Sequence, residues 1–337
     1  MLIPCGQYKP ARNSSIRFRD LITMINSILS KFKQKNFLIG FIIIIAAIIL
    51  VAIYKPNVLF EGLQRSALYA LIALPMALLL GIVDIVNLAH GEFMMVGAYF
   101  AYFMNVQFGM DPIVAVIPAL FLFFLFGILV YYITFKHIIG KEPLSQLLLG
   151  FGVGLVLAEG ITVIATNFPR KLGLDYVSSS ATIGGFTFGT FEFVYVAATI
   201  IILVGLQLFL KKTDTGQAAL AVGQNPRGAK IVGINVQWIY LLIFALSIAL
   251  IGAIGPLFGT RYTIFPGVGD QYTLKSFILV AVGGMGSLNG VVLAALILGM
   301  AETLVLSSLQ YGKWADIIYF ALIIGFILYR SHQRQVK

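Results

Sequence analysis

Charge is scarce in this chain. Only 11% of its 337 residues are Asp, Glu, Lys or Arg, against about 25% in soluble domains. Cysteine occurs once, at Cys5, and histidine three times, at His90, His137 and His332. One cysteine excludes an internal disulfide and a cysteine-rich metal site. The scattered histidines give no H-E-x-x-H zinc site, so no metal or cofactor is expected. No G-x-x-x-x-G-K-[ST] sequence is present: Gly140-Lys141 and Gly312-Lys313 both lack the loop and the following Ser or Thr. The chain therefore has no phosphate-cradling loop with which to hydrolyse ATP. Ser287 has glycines nearby but no G-x-S-x-G arrangement, and no nucleophile–base pair can be read, which sets an intramembrane enzyme aside.

What the chain has is apolar length. It is 60% hydrophobic, and the residues gather in runs at 38–54, 62–83, 91–107, 113–133, 147–167, 193–210, 238–257, 274–288, 289–309 and 314–329. The expected fold is all-α, a polytopic membrane protein of about 8–10 transmembrane helices. The net charge of +10 does not point to nucleic acid, because the basic residues flank the apolar runs. With the N-terminus in the cytoplasm, segments 1–36, 134–146, 211–237 and 330–337 face inward. They hold 16 of the 23 Lys and Arg, the asymmetry of the positive-inside rule. Both termini are then cytoplasmic, and 168–192 lies outside.

Three parts follow: a basic tail over 1–36, a membrane domain over 37–330 and a short cytoplasmic tail over 331–337. In the first, Phe18, Leu21, Ile22, Ile25, Ile28, Leu29 and Phe32 recur at helical spacing beside Lys31, Lys33 and Lys35. An interfacial helix on the bilayer and a disordered basic tail both fit. Met24 is a candidate internal start. The run at 38–54 ends in Tyr54-Lys55-Pro56 without a small-residue cleavage pattern, so it reads as a retained anchor.

Two segments interrupt the apolar pattern. The first, GIVDIVNLAHGEF, places Asp84, Asn87, His90 and Glu92 at membrane depth. An ionisable group there costs about 2.5–3.5 kcal/mol on insertion scales unless it is paired or faces water. Helical spacing would put Asp84, Asn87 and Gly91 on one face. The second, VGGMGSLNG, holds Gly283, Gly284, Gly286 and Ser287 between two apolar runs. The intervening passes make the halves parallel pseudo-repeats, and paired interruptions point to a transport pathway. Tight helix packing through glycine is the competing explanation and is compatible with it. Glu159 and Glu302 are further membrane-depth acids. Each follows an alanine and is expected to face neighbouring helices.

The inward segment 211–237 carries two capping signals. Asp214 or Thr215 can cap a helix that stops at Gly223. Asn225 can cap a second, with Pro226 in its first position and Gly233 at its end. Two short capped helices suit docking into a groove of a partner protein.

The run GIVDIVNLAHGEFMMVGAY resembles the signature of the permease subunits of branched-chain amino-acid ABC importers, the LivH type above all. TGQAALAVGQNPRGAKIVGINVQWIYLLIFALSIALIGAIGPLFG resembles their coupling segment and the helix after it. LKSFILVAVGGMGSLNGVVLAALILGMAETL resembles their C-terminal Gly-rich stretch. The matches lie in order over about 60–330, and the long N-terminal extension departs from the family. The resemblance implies half of a membrane pathway in a prokaryotic cell membrane, carrying leucine, isoleucine and valine. It implies a second related permease, two cytoplasmic ATP-binding subunits and an extracytoplasmic solute-binding protein. Asp84, Asn87, His90, Glu92, Gly283, Gly284, Gly286 and Ser287 would line or shape the pathway. Thr215, Gly216, Ala219, Ala221, Gly223, Asn225, Pro226 and Gly233 would form the coupling segment. Two alternatives stay open: a family member carrying urea, short amides or other amino acids, and an ion-gradient-driven carrier using the buried acids.

Overall fold

The structure is a computed structural model that describes residues 56–307, apart from 178, 184–185 and 190. The readings made for 1–36, Met24, 38–54, 314–329 and 331–337 lie outside the described residues. Among those described, eight long helices run α1 (Pro56–Ile82), α2 (His90–Phe108), α3 (Pro112–Ile133), α4 (Pro143–Ala165), α5 (Glu192–Lys212), α8 (Val236–Arg261), α9 (Gly269–Gly283) and α10 (Leu288–Leu306). Two short helices, α6 (Asp214–Gln224) and α7 (Pro226–Ile231), join α5 to α8. Six of the long helices are apolar and long enough to cross a membrane. The helical expectation holds, with one exception. Segment 166–191 carries a small antiparallel hairpin in which β1 (Ser180–Ile183) pairs with β2 (Phe186–Gly189), Ser180 opposite Gly189.

Local chemistry sets the helix ends. Asp111 accepts the Ile113 N–H at 2.8 Å with Pro112 in the first position of α3. Asn235 likewise caps α8 through the Trp238 N–H, and Ser287 caps α10 through the Gly290 N–H. At the far end of α2, Gly109 takes φ 64° and returns its N–H to the Asn105 carbonyl, the left-handed stop that glycine allows.

Helices α1 and α8 form the centre. Their most apolar stretches are 89% and 78% buried, against 17% for α4. Helices α3, α4 and α5 therefore present apolar surface outward, as lipid or a partner chain requires. Glycine fixes the closest crossings. A side chain at Gly97 would strike the Gly252 carbonyl, and one at Gly255 would strike the Met94 carbonyl, so α2 and α8 touch backbone to backbone. Between α3, α5 and α8 lies a groove of about 750 Å³ lined by apolar side chains such as Val116, Ile201 and Leu246.

One buried acid ties three helices. Glu302 on α10 is 4% exposed. Arg65 on α1 and Lys275 on α9 both reach its Oε1, at 3.1 and 3.0 Å, and the Tyr69 hydroxyl donates to Oε2 at 2.7 Å. This bears out the expectation that Glu302 faces neighbouring helices. Glu159 does the opposite: on α4 it is exposed on this chain. The alanine before an acid tells nothing of which face α4 turns inward.

Removing one partner of a buried pair costs about 3–5 kcal/mol because the other charge is stranded. Arg65 keeps part of its side chain exposed, so Glu302→Ala should fall near the lower end. Thermal unfolding of the purified protein in detergent should show a clear drop in Tm for Glu302→Ala, and a smaller one for Glu302→Gln.

Candidate translocation site

The first interruption begins inside α1. Pro75 has no N–H, so the helix loses a bond there. Ser247 of α8 donates to the Pro75 carbonyl at 2.8 Å. One turn earlier, the Ile72 carbonyl accepts a second bond from His90 Nε2 at 2.9 Å. A carbonyl can only accept, so Nε2 carries the proton and the buried Nδ1 is left as an acceptor without a partner. Ile72 lies ten residues before the end of α1, about 15 Å along its axis. The chain after Ile82 thus turns back over 83–89 and restarts as α2 deep inside the bundle.

The turn itself is built from Asp84 and Asn87. Asp84 adopts φ 56°, a left-handed conformation, and is exposed. Asn87 is fully buried; its Oδ1 accepts the Ala89 N–H at 3.0 Å and its carbonyl accepts the His90 N–H at 3.2 Å. The Asn87 amide nitrogen has no partner. The expectation of one helical face for Asp84, Asn87 and Gly91 is overturned, because 83–89 is not helical and the three point to different surroundings. Helix α4 closes the turn from the side. Gly150 lies against the Leu88 backbone, and Gly154 against Ala89 and the Glu92 side chain.

A third interruption, missed in the sequence reading, lies at 262–268. It follows α8 and leads into α9, which at 15 residues is about 22 Å long. That is short of the roughly 30 Å hydrocarbon core, and it starts at Gly269 where the sequence reading placed a span over 274–288. Its N-terminus meets that of α2: a side chain at Gly91 would collide with the Gly269 carbonyl, and one at Gly269 with the Gly91 backbone. The Gly91 N–H donates to Thr273 Oγ1 at 2.7 Å. Segment 262–268 is held by Arg170, whose backbone exchanges two 2.8 Å bonds with Ile264. The Arg170 guanidinium donates to the Tyr102 hydroxyl and the Ala165 carbonyl. The signal that could have revealed this junction is the Pro- and Gly-bearing run Phe265-Pro266-Gly267-Val268-Gly269-Asp270 between two apolar stretches.

The Gly-rich segment stands apart from the buried polar cluster. Gly283 closes α9, packed on Gly290, while Gly284 and Gly286 take φ 101° and 79°. Ser287 starts α10. Gly286 presses on Gly81, one turn before the first break, so closely that a side chain at 81 would overlap it. Asn87, His90 and Glu92 instead meet Gly150 of α4, Ile72 of α1 and Gly154 of α4.

The same end of the bundle carries α6 and α7. Thr213, and not Asp214 or Thr215, caps α6 by accepting the Gly216 N–H at 3.0 Å. The helix continues through Gly223 to Gln224, correcting the expected stop at Gly223. Asn225 caps α7 through the Gly228 N–H at 2.9 Å, with Pro226 first, and Gly233 follows its end at φ 90°. Of the named positions, Gly216 and Ala219 face inward, Thr215 is half-buried, and Ala221, Asn225, Pro226 and Gly233 are exposed. Gly223 abuts Gly81 and Ile82. Sequence reasoning missed the exposed apolar pair Ile231 and Val232, at 86% and 75%.

Membrane-length helices joined by a buried polar turn, with a helix that restarts beside Ile72 inside the bundle, fit a membrane transport protein. The comparison with known families agrees. The family described as branched-chain amino acid transport system / permease component matches residues 58–327, and the chain belongs to it. The high-affinity branched-chain amino acid transport system permease protein BraD of Pseudomonas aeruginosa is 27% identical over 286 residues, covering 81% of this chain and 92% of that protein. LivH of Escherichia coli is 25% identical over 291 residues, covering 82% and 94%. LivM of the same organism is 25% identical over 318 residues, covering 84% and 71%. All three are permease proteins of such transport systems, which is not the company of an enzyme.

The α2–α9 junction leaves no room for a methyl group. Gly91→Ala should destabilise by about 1–3 kcal/mol, the usual effect of overpacking. Gly152→Ala on α4, where nothing lies within 4 Å, should stay within about 0.5 kcal/mol. Thermal melts of both variants in detergent check the contrast.

Proposed function

We propose that this chain forms one half of the membrane pathway of an ATP-driven importer for leucine, isoleucine and valine. A second, related permease supplies the other half, and two cytoplasmic ATP-binding subunits dock on the α6–α7 segments. A solute-binding protein delivers the amino acid at the opposite face. The excess of Lys and Arg in segments 1–36, 134–146, 211–237 and 330–337, the third of which contains α6–α7, supports a cytoplasmic position for that end and for both termini. The family match and the names of the relatives support the solute class. The observation that carries the reading is the exposed α6–α7 pair, doubly capped and in contact through Gly223 with the end of α1 beside the first interruption.

That joint supplies the mechanism. Ala221, Arg227, Ile231 and Val232 are exposed at the docking face, an apolar patch with a basic rim of the kind that seats in a partner groove. Behind it, Gly223 rests on Gly81, and Gly81 rests on Gly286. ATP binding closes the two ATP-binding subunits and draws the α6–α7 segments together. A displacement of α6 then pushes the end of α1, just before the break at 83–89, and the turn before α10. Close-packed backbone transmits such a shift without slack. Asp84, Asn87, His90 and Glu92, with Gly283, Gly284, Gly286 and Ser287, shape the pathway that opens and closes. Solute choice rests mainly with the binding protein.

Mild-detergent purification from the native membrane should recover two nucleotide-binding subunits and a second permease with this chain; recovery of the chain alone would overturn the proposal. Ile231→Glu should lose the nucleotide-binding subunits from that preparation. Gly223→Leu should retain them yet reduce ATP-driven uptake by roughly tenfold or more, since the contact with Gly81 is forced apart. Normal uptake by both variants would refute the docking assignment.

A further inference from the structure

A second groove, of about 520 Å³, lies between α3 and α4. Phe126, Leu129 and Ile133 line it from α3, and Leu148, Val153 and Val156 from α4. Gly152 adds to the space, since nothing lies within 4 Å of where its side chain would stand. Leu129, Ile133, Leu148 and Val156 are exposed, so the groove opens to its surroundings. Thr134 contributes a hydroxyl to the lining, and that hydroxyl is bonded to the Val130 carbonyl. Within a bilayer, an apolar slot of this kind takes a hydrocarbon chain or another helix.

The mouth of the slot is charged. After Thr134 the chain crosses to α4 through residues 135–142, which carry Lys136, His137 and Lys141, all exposed. The crossing is anchored at one end by Phe135, buried against Phe244 of α8 with ring centres 4.6 Å apart. At the other end, the Gln146 amide donates to the Lys141 carbonyl at 3.2 Å. Lys136 Nζ lies 5.0 Å from the centre of the Tyr132 ring, which keeps the amine at the end of α3. Helix α4 starts at Pro143, so its partly positive N-terminus stands at the same mouth. One acid, Glu142, shares the crossing. Among the described residues it is ion-paired with neither lysine, and the mouth keeps a net positive charge. It lies at the end that carries α6 and α7, because the Tyr131 hydroxyl donates to the Gln237 carbonyl at the start of α8.

We propose that the α3–α4 groove binds an anionic phospholipid of the cytoplasmic leaflet, with one acyl chain in the slot and the phosphate at Lys136 and Lys141. The choice of leaflet rests on the permease reading above. An apolar slot alone would accept any lipid, or a helix of the second permease. The two lysines decide between them, because the cytoplasmic leaflet carries negative headgroups and basic pockets between membrane helices on that side attract them. A zwitterionic headgroup brings its own ammonium and gains little from the lysines. The site also bears on the pathway. Gly152 stands two residues from both Gly150 and Gly154, on roughly the opposite side of α4. A lipid seated there backs the helix where Gly150 and Gly154 cover the turn at 83–89.

The test is native mass spectrometry of the purified permease complex with phosphatidylglycerol and phosphatidylcholine of equal chain length. The wild-type complex should retain phosphatidylglycerol about tenfold better. Lys136→Gln combined with Lys141→Gln should lose that difference and still hold phosphatidylcholine. Gly152→Leu, which fills the slot, should hold one fewer lipid of either kind. Lys171→Gln, at an exposed lysine outside the crossing, should behave as wild type. Equal retention of the two lipids by the wild type would overturn the proposal, as would unchanged binding in both groove variants. Loss of the second permease from Gly152→Leu, with the lipid count unchanged, would assign the slot to that chain and overturn it too. The leaflet is read separately. In a Cys5→Ser background, Lys141→Cys in intact cells should resist a membrane-impermeant maleimide. Labelling would overturn the leaflet and the orientation in the permease reading, which the lipid counts do not touch.

Discussion

Inside a bilayer, a backbone carbonyl or N–H that leaves the helical ladder must find its partner within the protein. The bond from His90 to the Ile72 carbonyl is where this chain meets that demand most visibly. It fixes the start of α2 some 15 Å back along α1, and so decides that the chain returns into the bundle after Ile82. The position of α2 then sets where α9 can begin, because Gly91 and Gly269 occupy the same contact. It also sets where α4 lies, since Gly150 and Gly154 cover the turn that the return creates. Remove the bond, and the junction loses the element that holds it at depth.

The rest of the architecture follows from small residues placed where backbones must approach. In water, burial of apolar surface would bind the helices; within lipid that drive is largely absent, and close packing and internal polar bonds take its place. Both appear here. Gly97, Gly252 and Gly255 bring α2 onto α8, and the Glu302 cluster ties α1, α9 and α10. At the periphery Gly127 of α3 packs on Ala245 of α8, while α4 stays mostly bare apart from Gly150 and Gly154. A helix with one glycine face on the functional turn and its other faces uncovered is fitted to move, or to meet a second chain.

The polar break at 84–92 was legible because four polar residues between apolar runs have few harmless explanations. The caps at Asn225 and Pro226 were legible for the same local reason. What could not be read was pairing across the chain. Arg65 and Glu302 are 237 residues apart, and no periodicity connects them. The junction at 262–268 was passed over because Tyr262 to Gly269 contains no charge, so it read as an ordinary connection. Asp84 and Asn87 fit helical spacing, yet the positive φ at Asp84 shows the helix had already ended. Spacing describes a helix only once the helix is known to exist.

The direction in which the coupling segment faces was also beyond composition. Small residues at Gly216, Ala219 and Gly223 suggested a surface suited to a partner. In the structure the first two pack inward and Gly223 reaches Gly81. Gly216, Ala219 and Gly223 of α6 thus serve contact with this chain's own helices, while Ala221, Ile231 and Val232 are left exposed for the partner. That division has a mechanical sense. A docking face can tolerate side-chain adjustment, because its partner adapts. A transmitting face cannot, because any compliance between α6 and α1 would absorb the displacement before it reached the break. Glycine against glycine leaves the least to compress, and Gly223 against Gly81 is the contact of that kind between α6 and α1.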